Sequence, residues 1–539
     1  MARKPMIQPN SAPAQHPEGF ASVFTSATYG TVLLQAAAVA VVAVLLGQSV
    51  FVAFSLPAQW APLFVVATLL PFVAVAVGNL HRLLLAVILL NIPFKLEIHL
   101  DYRPQAADLG AVGGLGISAT TLALAALYAL WAAELLVAPR MPARSKLQVN
   151  WPLALFVAFA ALSAAAAGDR TLAIFQLFLF VQTFLLHFYV INRVRDRNEI
   201  IFIATVLLAG LALEGMVMLA MLAAPGNFSV AGISGRADLE QGSSTSFYRL
   251  SGTLGSPGNA AGYLSLLLPL AFSFLLSDAG RALKRLAILA LGLGGLALIL
   301  TFTRGGWMAF VISLALVSFL VSRRGILSPR IPLALLLVIP VAALPFQDAI
   351  GSRLLAEESA TSRFPLMELA FKMIASNPLL GVGANNFAVN IGQFATPDLG
   401  GEWLYTVHNV YLRIWAESGI FALLFFLVFL LTTLHQGWAS WRSRDPLLSA
   451  PALGLTAGLV GHMVHMTVDV FNDRQPVQSL WLVAALITAL HRVHAEHAGP
   501  RSPDAGTAHV PAPSEKVAEQ PNRWRNRLAN QRTSDTGRK

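Results

Sequence analysis

The sequence predicts an all-α, polytopic integral membrane protein with about 12–14 transmembrane helices. Three observations predict it. Of 539 residues, 56% are hydrophobic and only 12% charged, against about 25% charged in soluble domains. Mean hydropathy is +0.65. Apolar runs of roughly eighteen or more residues, long enough to cross a bilayer, recur from Thr31 to Leu490. These runs do not alternate polar and apolar residues, which excludes a transmembrane β-barrel. So much apolar surface excludes a compact soluble enzyme. Cysteine is absent, so disulfides, thiolate metal sites and a cysteine nucleophile are excluded too.

Residues 1–30 read as a polar cytoplasmic tail carrying Arg3 and Lys4. The first apolar run begins near Thr31, late for a cleavable signal, so the first span is expected to be a signal anchor. About fourteen spans follow, near 31–54, 58–78, 82–97, 114–137, 151–168, 171–191, 199–224, 258–278, 284–302, 305–322, 331–346, 409–434, 452–471 and 475–491. The third and eleventh are short enough to be re-entrant. The chain therefore divides into spans 1–11 over 31–346, with an outer loop at 225–257. A long loop at 347–408 follows, then spans 12–14 over 409–491 and a tail at 496–539. In the long loop, Arg363 to Ile374 has helical apolar spacing and Asn377-Pro378 ends it. One or two helices are expected there, lying on the membrane or capping the bundle.

The net charge of +10 sorts by loop. Arg82, then Arg140, Arg144 and Lys146, then Arg193, Arg195 and Arg197 fall on one side. Arg281, Lys284, Arg285, Arg323, Arg324, Arg330, Arg442 and Arg444 continue the series. The opposite loops are short or mixed in sign. This is the positive-inside pattern, with both termini expected in the cytoplasm and the polar outer loops in the periplasm. The tail from 496 is rich in Pro, Ser and Arg and is expected to be disordered. Only Trp524 interleaves its charges, so nucleic acid is not an expected partner, and membrane lipids are.

Charge near a membrane is costly and tends to be functional. Four outer clusters stand out. Tyr248 to Tyr263 puts Arg249 before a Gly/Ser/Pro turn that opens a helix, an arrangement suited to an anion or to a capped loop. Thr301 to Trp307 sets Arg304 in a very short turn, free to bind a ligand or to snorkel to head groups. Tyr405 to Ile420 carries His408 and Asn409 at the outer edge of a span, with Tyr411, Arg413 and Glu417 following. A histidine there suits a general base or an interfacial hydrogen bond. His462, His465 and Asp469 share one helical face. Their readings are helix packing, orientation of His408, or a metal site short of ligands. The Gly292 to Gly295 run lies inside an apolar helix and reads as helix packing, not a phosphate loop. Several arginines suit a diphosphate and one histidine suits deprotonation of a hydroxyl. Together they point to transfer from a membrane-borne diphosphate carrier without metal.

At these residues the sequence resembles the O-antigen ligase and polymerase superfamily. The matching stretches are RLSGTLGSPGNAAGYLSLLLPL (249–270), TFTRGGW (301–307), SRFPLMELAFKMIASNPLLGVGANNF (362–387) and HNVYLRIWAESGIFALLFFL (408–427). The usual loop pattern has Arg and then Trp four residues on, and here Met367 stands in the Trp place. The resemblance implies an inverting, metal-independent glycosyltransferase of the bacterial inner membrane, with no cofactor. Its donor would be a glycan on polyprenyl diphosphate, and its acceptor another carrier-linked unit or lipid A–core. It further implies that Arg249 and Arg304 bind the diphosphate and that His408 is the base or acceptor-orienting group. Arg363 would bind diphosphate or acceptor, and Asn409, Tyr411 and Asp469 would support the site from behind. The rival readings are a multi-pass transporter or flippase of lipid-linked glycans, and a sensor whose basic tail binds a partner. Ionisable residues mostly at one face and the lack of a repeat favour the transferase.

Overall fold

The computed structural model describes residues 79–137, 147–223, 226–230, 233–241, 246–325, 347–348, 350–351, 363–395, 405–443 and 445–497. The expected spans at 31–54, 58–78 and 331–346 lie outside these residues, as do the 1–30 tail and almost all of the 496–539 tail. Arg140, Arg144, Lys146, Arg330 and Arg444 also fall outside. The chain divides at Ala495, and the contacts that follow lie before that point.

Each of the eleven expected spans that fall on described residues is a helix. In chain order they begin with α1 (Leu80–Phe94), then a short α2 (Pro104–Asp108) outside the spans, α3 (Ala119–Val137), α4 (Trp151–Ser163), α5 (Arg170–Arg193) and α6 (Arg197–Ala223). There follow α7 (Pro257–Leu275), α8 (Arg281–Leu300) and α9 (Arg304–Arg323). The long loop supplies α10 (Arg363–Ser376) and α11 (Phe387–Phe394), and the bundle closes with α12 (Val410–Trp441), α13 (Pro446–His465) and α14 (Arg474–His497). Among the described residues, nine helices are long and apolar enough to cross a membrane. The protein is an all-α polytopic membrane protein.

The helices start where the sequence supplies caps. Asn150, Asp169, Ser256, Asn409 and Asp445 each accept a backbone N–H from the first turn of the helix they precede. Burial separates a centre from a rim. The apolar windows of α7 and α14 are 89% buried, against 33% for α8 and 28% for α3. Helix α13 packs against α7, α9 and α12. On the rim, Ile288, Leu289, Phe319, Leu424 and Leu431 are exposed, as lipid-facing residues should be.

The bundle has two chemically different ends. One is basic: Arg324 lies 3.9 Å from the Trp441 ring centroid and donates to the Trp441 carbonyl at 2.8 Å, and Arg197 pairs with Asp445 at 3.4 Å. The other end gathers the segments 95–118, 226–230, 233–241, 246–257, 301–303, 363–395, 405–409 and 466–473.

At that end the 225–257 segment is not the simple loop its composition implies. It forms an antiparallel sheet of β3 (Phe228–Val230), β4 (Ile233–Gln241) and β5 (Ser246–Gly252), numbered after a smaller hairpin of β1 (Glu97–Leu100) and β2 (Leu115–Ser118). The sheet is anchored from below. Glu214 of α6 is fully buried and accepts the Thr253 N–H at 2.8 Å, and the Thr253 hydroxyl lies 2.6 Å from its second oxygen.

Of the two expected placements, α10 takes the bundle cap. Leu366, Leu369, Ala370 and Met373 are buried with Phe387, Ile391, Val407 and Ala416. Helix α12 is kinked at Gly419 (φ 80°, ψ 175°), and the 377–383 turn docks into the kink. Val382 and Gly383 donate to the carbonyls of Ala416 and Glu417 at 2.8 and 2.9 Å, and Ile420 donates to the Pro378 carbonyl at 3.0 Å. A side chain on Gly419 would meet the Leu379 carbonyl.

Candidate active site

The charged outer residues come from five separate pieces of chain. Arg249 projects from β5, only 18% exposed, and donates to Glu240 Oε2 at 3.0 Å. It also donates to the Thr301 carbonyl at 3.2 Å and the Thr303 hydroxyl at 3.4 Å. These bonds fasten the sheet to the turn between α8 and α9. Phe302 in that turn takes a left-handed conformation (φ 48°), and its ring packs tilted against that of Phe247, with centroids 4.6 Å apart. Arg304 then opens α9. Arg363 opens α10 and lies in the field of Arg304, Arg249 and Asp469. Burial lowers the Arg363 pKa from its ordinary value, Asp469 opposes this, and the two other arginines add to the lowering.

His408 stands one residue before the Asn409 cap of α12, its ring 5.3 Å from that of Tyr405. Burial lowers its pKa below the ordinary histidine value. Asp469 works against the shift, Arg363 works with it, and a backbone hydrogen bond at Thr406 opposes it. Asp469 follows the end of α13. Burial acts to raise its carboxyl, but His465, the Val470 amide and His408 outweigh burial and hold it below the usual carboxylate range. Its Oδ2 lies 3.4 Å from His465 Nε2, and its Oδ1 accepts the Val470 N–H at 2.8 Å. The carboxylate also sits against the first turn of α7, where a side chain on Gly258 would strike it. A negative group is favoured at a helix N-terminus. Arg249, Arg304, Arg363, His408 and Asp469 thus form one electrostatic group.

Two other sequence candidates sit elsewhere. The Asn409 side chain caps α12, accepting Leu412 N–H at 3.0 Å. The Tyr411 hydroxyl donates to the Met463 carbonyl at 2.9 Å, tying α12 to α13. Arg413 and Glu417 face each other at 3.7 Å, both buried. His462 and His465 are buried against Phe471, each with ring centroids 4.8 Å away. Among the described residues, no group of three or more His, Asp or Glu side chains is placed to hold a metal ion.

Three asparagines that position the site, Asn259, Asn385 and Asn386, were not singled out from the sequence, and Glu417, which was, joins them. Asn385 accepts the Val112 N–H at 2.7 Å and donates to the carbonyls of Val112 and Leu172 at 2.9 and 2.8 Å. Asn386 accepts from Asp169 N–H at 2.7 Å and donates back to its carbonyl at 3.0 Å. Glu417 accepts the Phe387 N–H at 3.1 Å. The GANNF stretch is therefore a plug that locks the long loop onto the ends of α4, α5 and α12. Asn259 reaches across to Asp473 Oδ2 at 2.7 Å and fixes α7 to the 466–473 turn. The polar spacing of these asparagines was visible, but their partners lie more than two hundred residues away.

A polytopic helical bundle that clusters arginines, a histidine and a carboxylate at one end defines a membrane protein with a charged polar region at that end of its bundle. Residues 287–427 match the family model described as O-antigen ligase, which supports the O-antigen ligase and polymerase superfamily for this chain. The matched segment contains Arg304, Arg363 and His408, while Arg249 and Asp469 lie outside it. No curated protein matches the chain. Glycosyl transfer of the O-antigen ligase or polymerase type is the general activity this match supports, with lipid-linked glycans as the substrate class.

Proposed function

We propose that the protein transfers a glycan from polyprenyl diphosphate to an acceptor hydroxyl at the periplasmic face of the inner membrane. The single observation that carries this is the shared electrostatic field of Arg249, Arg304, Arg363, His408 and Asp469, which come from five pieces of chain. The arginines hold the diphosphate and stabilise its charge as it leaves, which makes the reaction independent of divalent metal. His408, kept neutral by its burial, accepts the acceptor hydroxyl proton, and Asp469 steadies the resulting imidazolium. The hydroxyl oxygen bonds to the anomeric carbon as the bond from that carbon to the diphosphate oxygen breaks on the opposite face, inverting the centre. Docking of α10 over the bundle end keeps water, the competing acceptor, away. The positive-inside pattern of the loop charges supports a cytoplasmic basic end. Polymerisation of O-antigen or exopolysaccharide repeat units is the favoured form, and ligation to lipid A–core is its variant. A deletion strain separates them: stalled single units mark a polymerase, unattached polymer a ligase.

The test uses purified protein, a polyprenyl-diphosphate oligosaccharide and acceptor. New glycosidic bonds form in EDTA, and His408→Ala and Arg304→Ala fold but lose turnover. Activity that persists in both variants, or vanishes with EDTA, overturns the reading. Transport of labelled lipid that is indifferent to His408→Ala favours a flippase instead.

A further inference from the structure

A second polar region adjoins the arginine cluster on the far side of Tyr405. It is a cavity of about 170 Å³, walled by the glycine-rich 110–116 turn, β1, the first turn of α14 and the Tyr405 ring. Its charges cancel. Arg474 is bonded to Glu97, with Lys95 3.7 Å from the same carboxylate, and Asp473 accepts from Asn259. Burial acts to raise the Glu97 carboxyl, but Arg474, Lys95 and His99 hold it below its usual value. Burial pushes the Tyr405 hydroxyl up to about 12, with Asp473 and Asp469 adding to it, so it remains a donor.

Gln475 is the telling residue. Its side chain is 0% exposed and lines the cavity, yet neither Nε2 nor Oε1 has a hydrogen-bond partner in the protein. Its neighbours are satisfied: Gln478 accepts from Arg474 at 3.0 Å and donates to Gln182 at 3.1 Å. A buried amide with nothing to bond is unfavourable unless a ligand supplies the partners. Two donors and a carbonyl side by side match a pair of neighbouring hydroxyls. Tyr102 and Tyr405 give flat apolar walls, of the kind ligand sites combine with a few placed polar groups.

We propose that this cavity is a subsite for a neutral, hydroxyl-rich sugar, the terminal sugar of the acceptor, recognised by Gln475. The proposal rests on the transferase reading above. An in-line displacement needs the acceptor opposite the diphosphate. The Tyr405 ring that walls the cavity also stands against His408, so the cavity adjoins the proposed base. A charge-balanced cavity has no pull on a diphosphate, so the two regions divide the substrates between them.

The test is saturation-transfer NMR of the full-length protein in nanodiscs with free glucose, galactose, rhamnose and N-acetylglucosamine. At least one sugar is expected to give a signal that inorganic diphosphate does not compete. Gln475→Leu should abolish it, Gln475→Asn weaken it, and Arg304→Ala leave it intact. The melting temperature of Gln475→Leu should equal or exceed that of the native protein, because an unpaired amide is being removed. In turnover, Gln475→Leu should raise the acceptor KM about tenfold or more with kcat little changed, since the lost contact is a binding contact. No signal from any of the four sugars, an unchanged signal in Gln475→Leu, competition by diphosphate, or a lowered melting temperature overturns the subsite. If glycosyl transfer proceeds but KM is unmoved, the subsite fails while the transferase reading stands. If the sugar signal depends on Gln475 but no transfer is detected, the transferase reading fails and sugar binding stands.

Discussion

Two sets of arginines sit at the same end of the bundle and live by different rules. Arg413 and Arg474 are each buried beside one carboxylate, Glu417 and Glu97, and Arg474 also donates to the Gln478 side chain and the Asn91 carbonyl. Arg363 lies in the field of Arg249 and Arg304 as well as of Asp469, so like charge and burial together press on it, while Arg249 keeps Glu240 at 3.0 Å. A buried pair with matched charge is structure, because removing one partner strands the other. Crowded like charge is a standing cost, and an arriving anion relieves it. The first set holds the long loop and the α1–α14 contact. The second is the proposed ligand site.

The largest expected effect lies in the paired set. Glu417 pairs with Arg413 and accepts from Phe387, so Glu417→Ala should destabilise the protein by about 3–5 kcal/mol. The double change Arg413→Met with Glu417→Leu should recover most of that loss. Thermal unfolding in detergent checks both, and equal melting temperatures for the single and double variants would break the distinction.

Next comes the crowded set. Arg304→Gln should lower kcat about 10²- to 10³-fold, the usual effect of losing one preorganised charge stabiliser. Its melting temperature, measured alongside, separates loss of rate from loss of fold. A fall in stability comparable with that of Glu417→Ala would place Arg304 in the first set. Smaller again is Gly419→Ala. The residue sits at φ 80° against the Leu379 carbonyl. The change should cost about 1–3 kcal/mol of strain, and hydrogen exchange should rise first in 377–383.

The two sets also differ in how far they were legible. Long apolar runs located the helices, because a bilayer demands uninterrupted apolar length. Capping residues such as Ser256 and Asn409 marked the starts. The outer arginines and His408 were visible because charge is scarce in this chain. The sheet over 228–252 was read as loop, although Arg236-Ala-Asp-Leu-Glu240 alternates with the strand period. Charges at every second position masked it. The plug of Asn385 and Asn386 was out of reach. Its partners Val112, Leu172 and Asp169 are distant in sequence, and no local pattern announces a long-range hydrogen bond. Gln475 was missed for a related reason: its meaning is the absence of a partner, which only packing reveals.

The smallest effect is a shift along the pH axis, and it probes the crowded set directly. As the base, His408 works in its neutral form, so kcat/KM should fall as pH drops through its pKa. Burial places that pKa below the ordinary histidine value, so activity should persist into mildly acidic buffer. Asp469 pulls the pKa up and Arg363 pushes it down. Asp469→Asn removes the upward pull, so the acid limb should move to lower pH. Arg363→Gln removes the downward push, so the limb should move to higher pH, even though its rate is reduced throughout. Opposite displacements in two single variants are hard to produce by general damage. Limbs that move together, or that stay with the native profile, would remove His408 from the role of base and leave the arginines as a binding site alone.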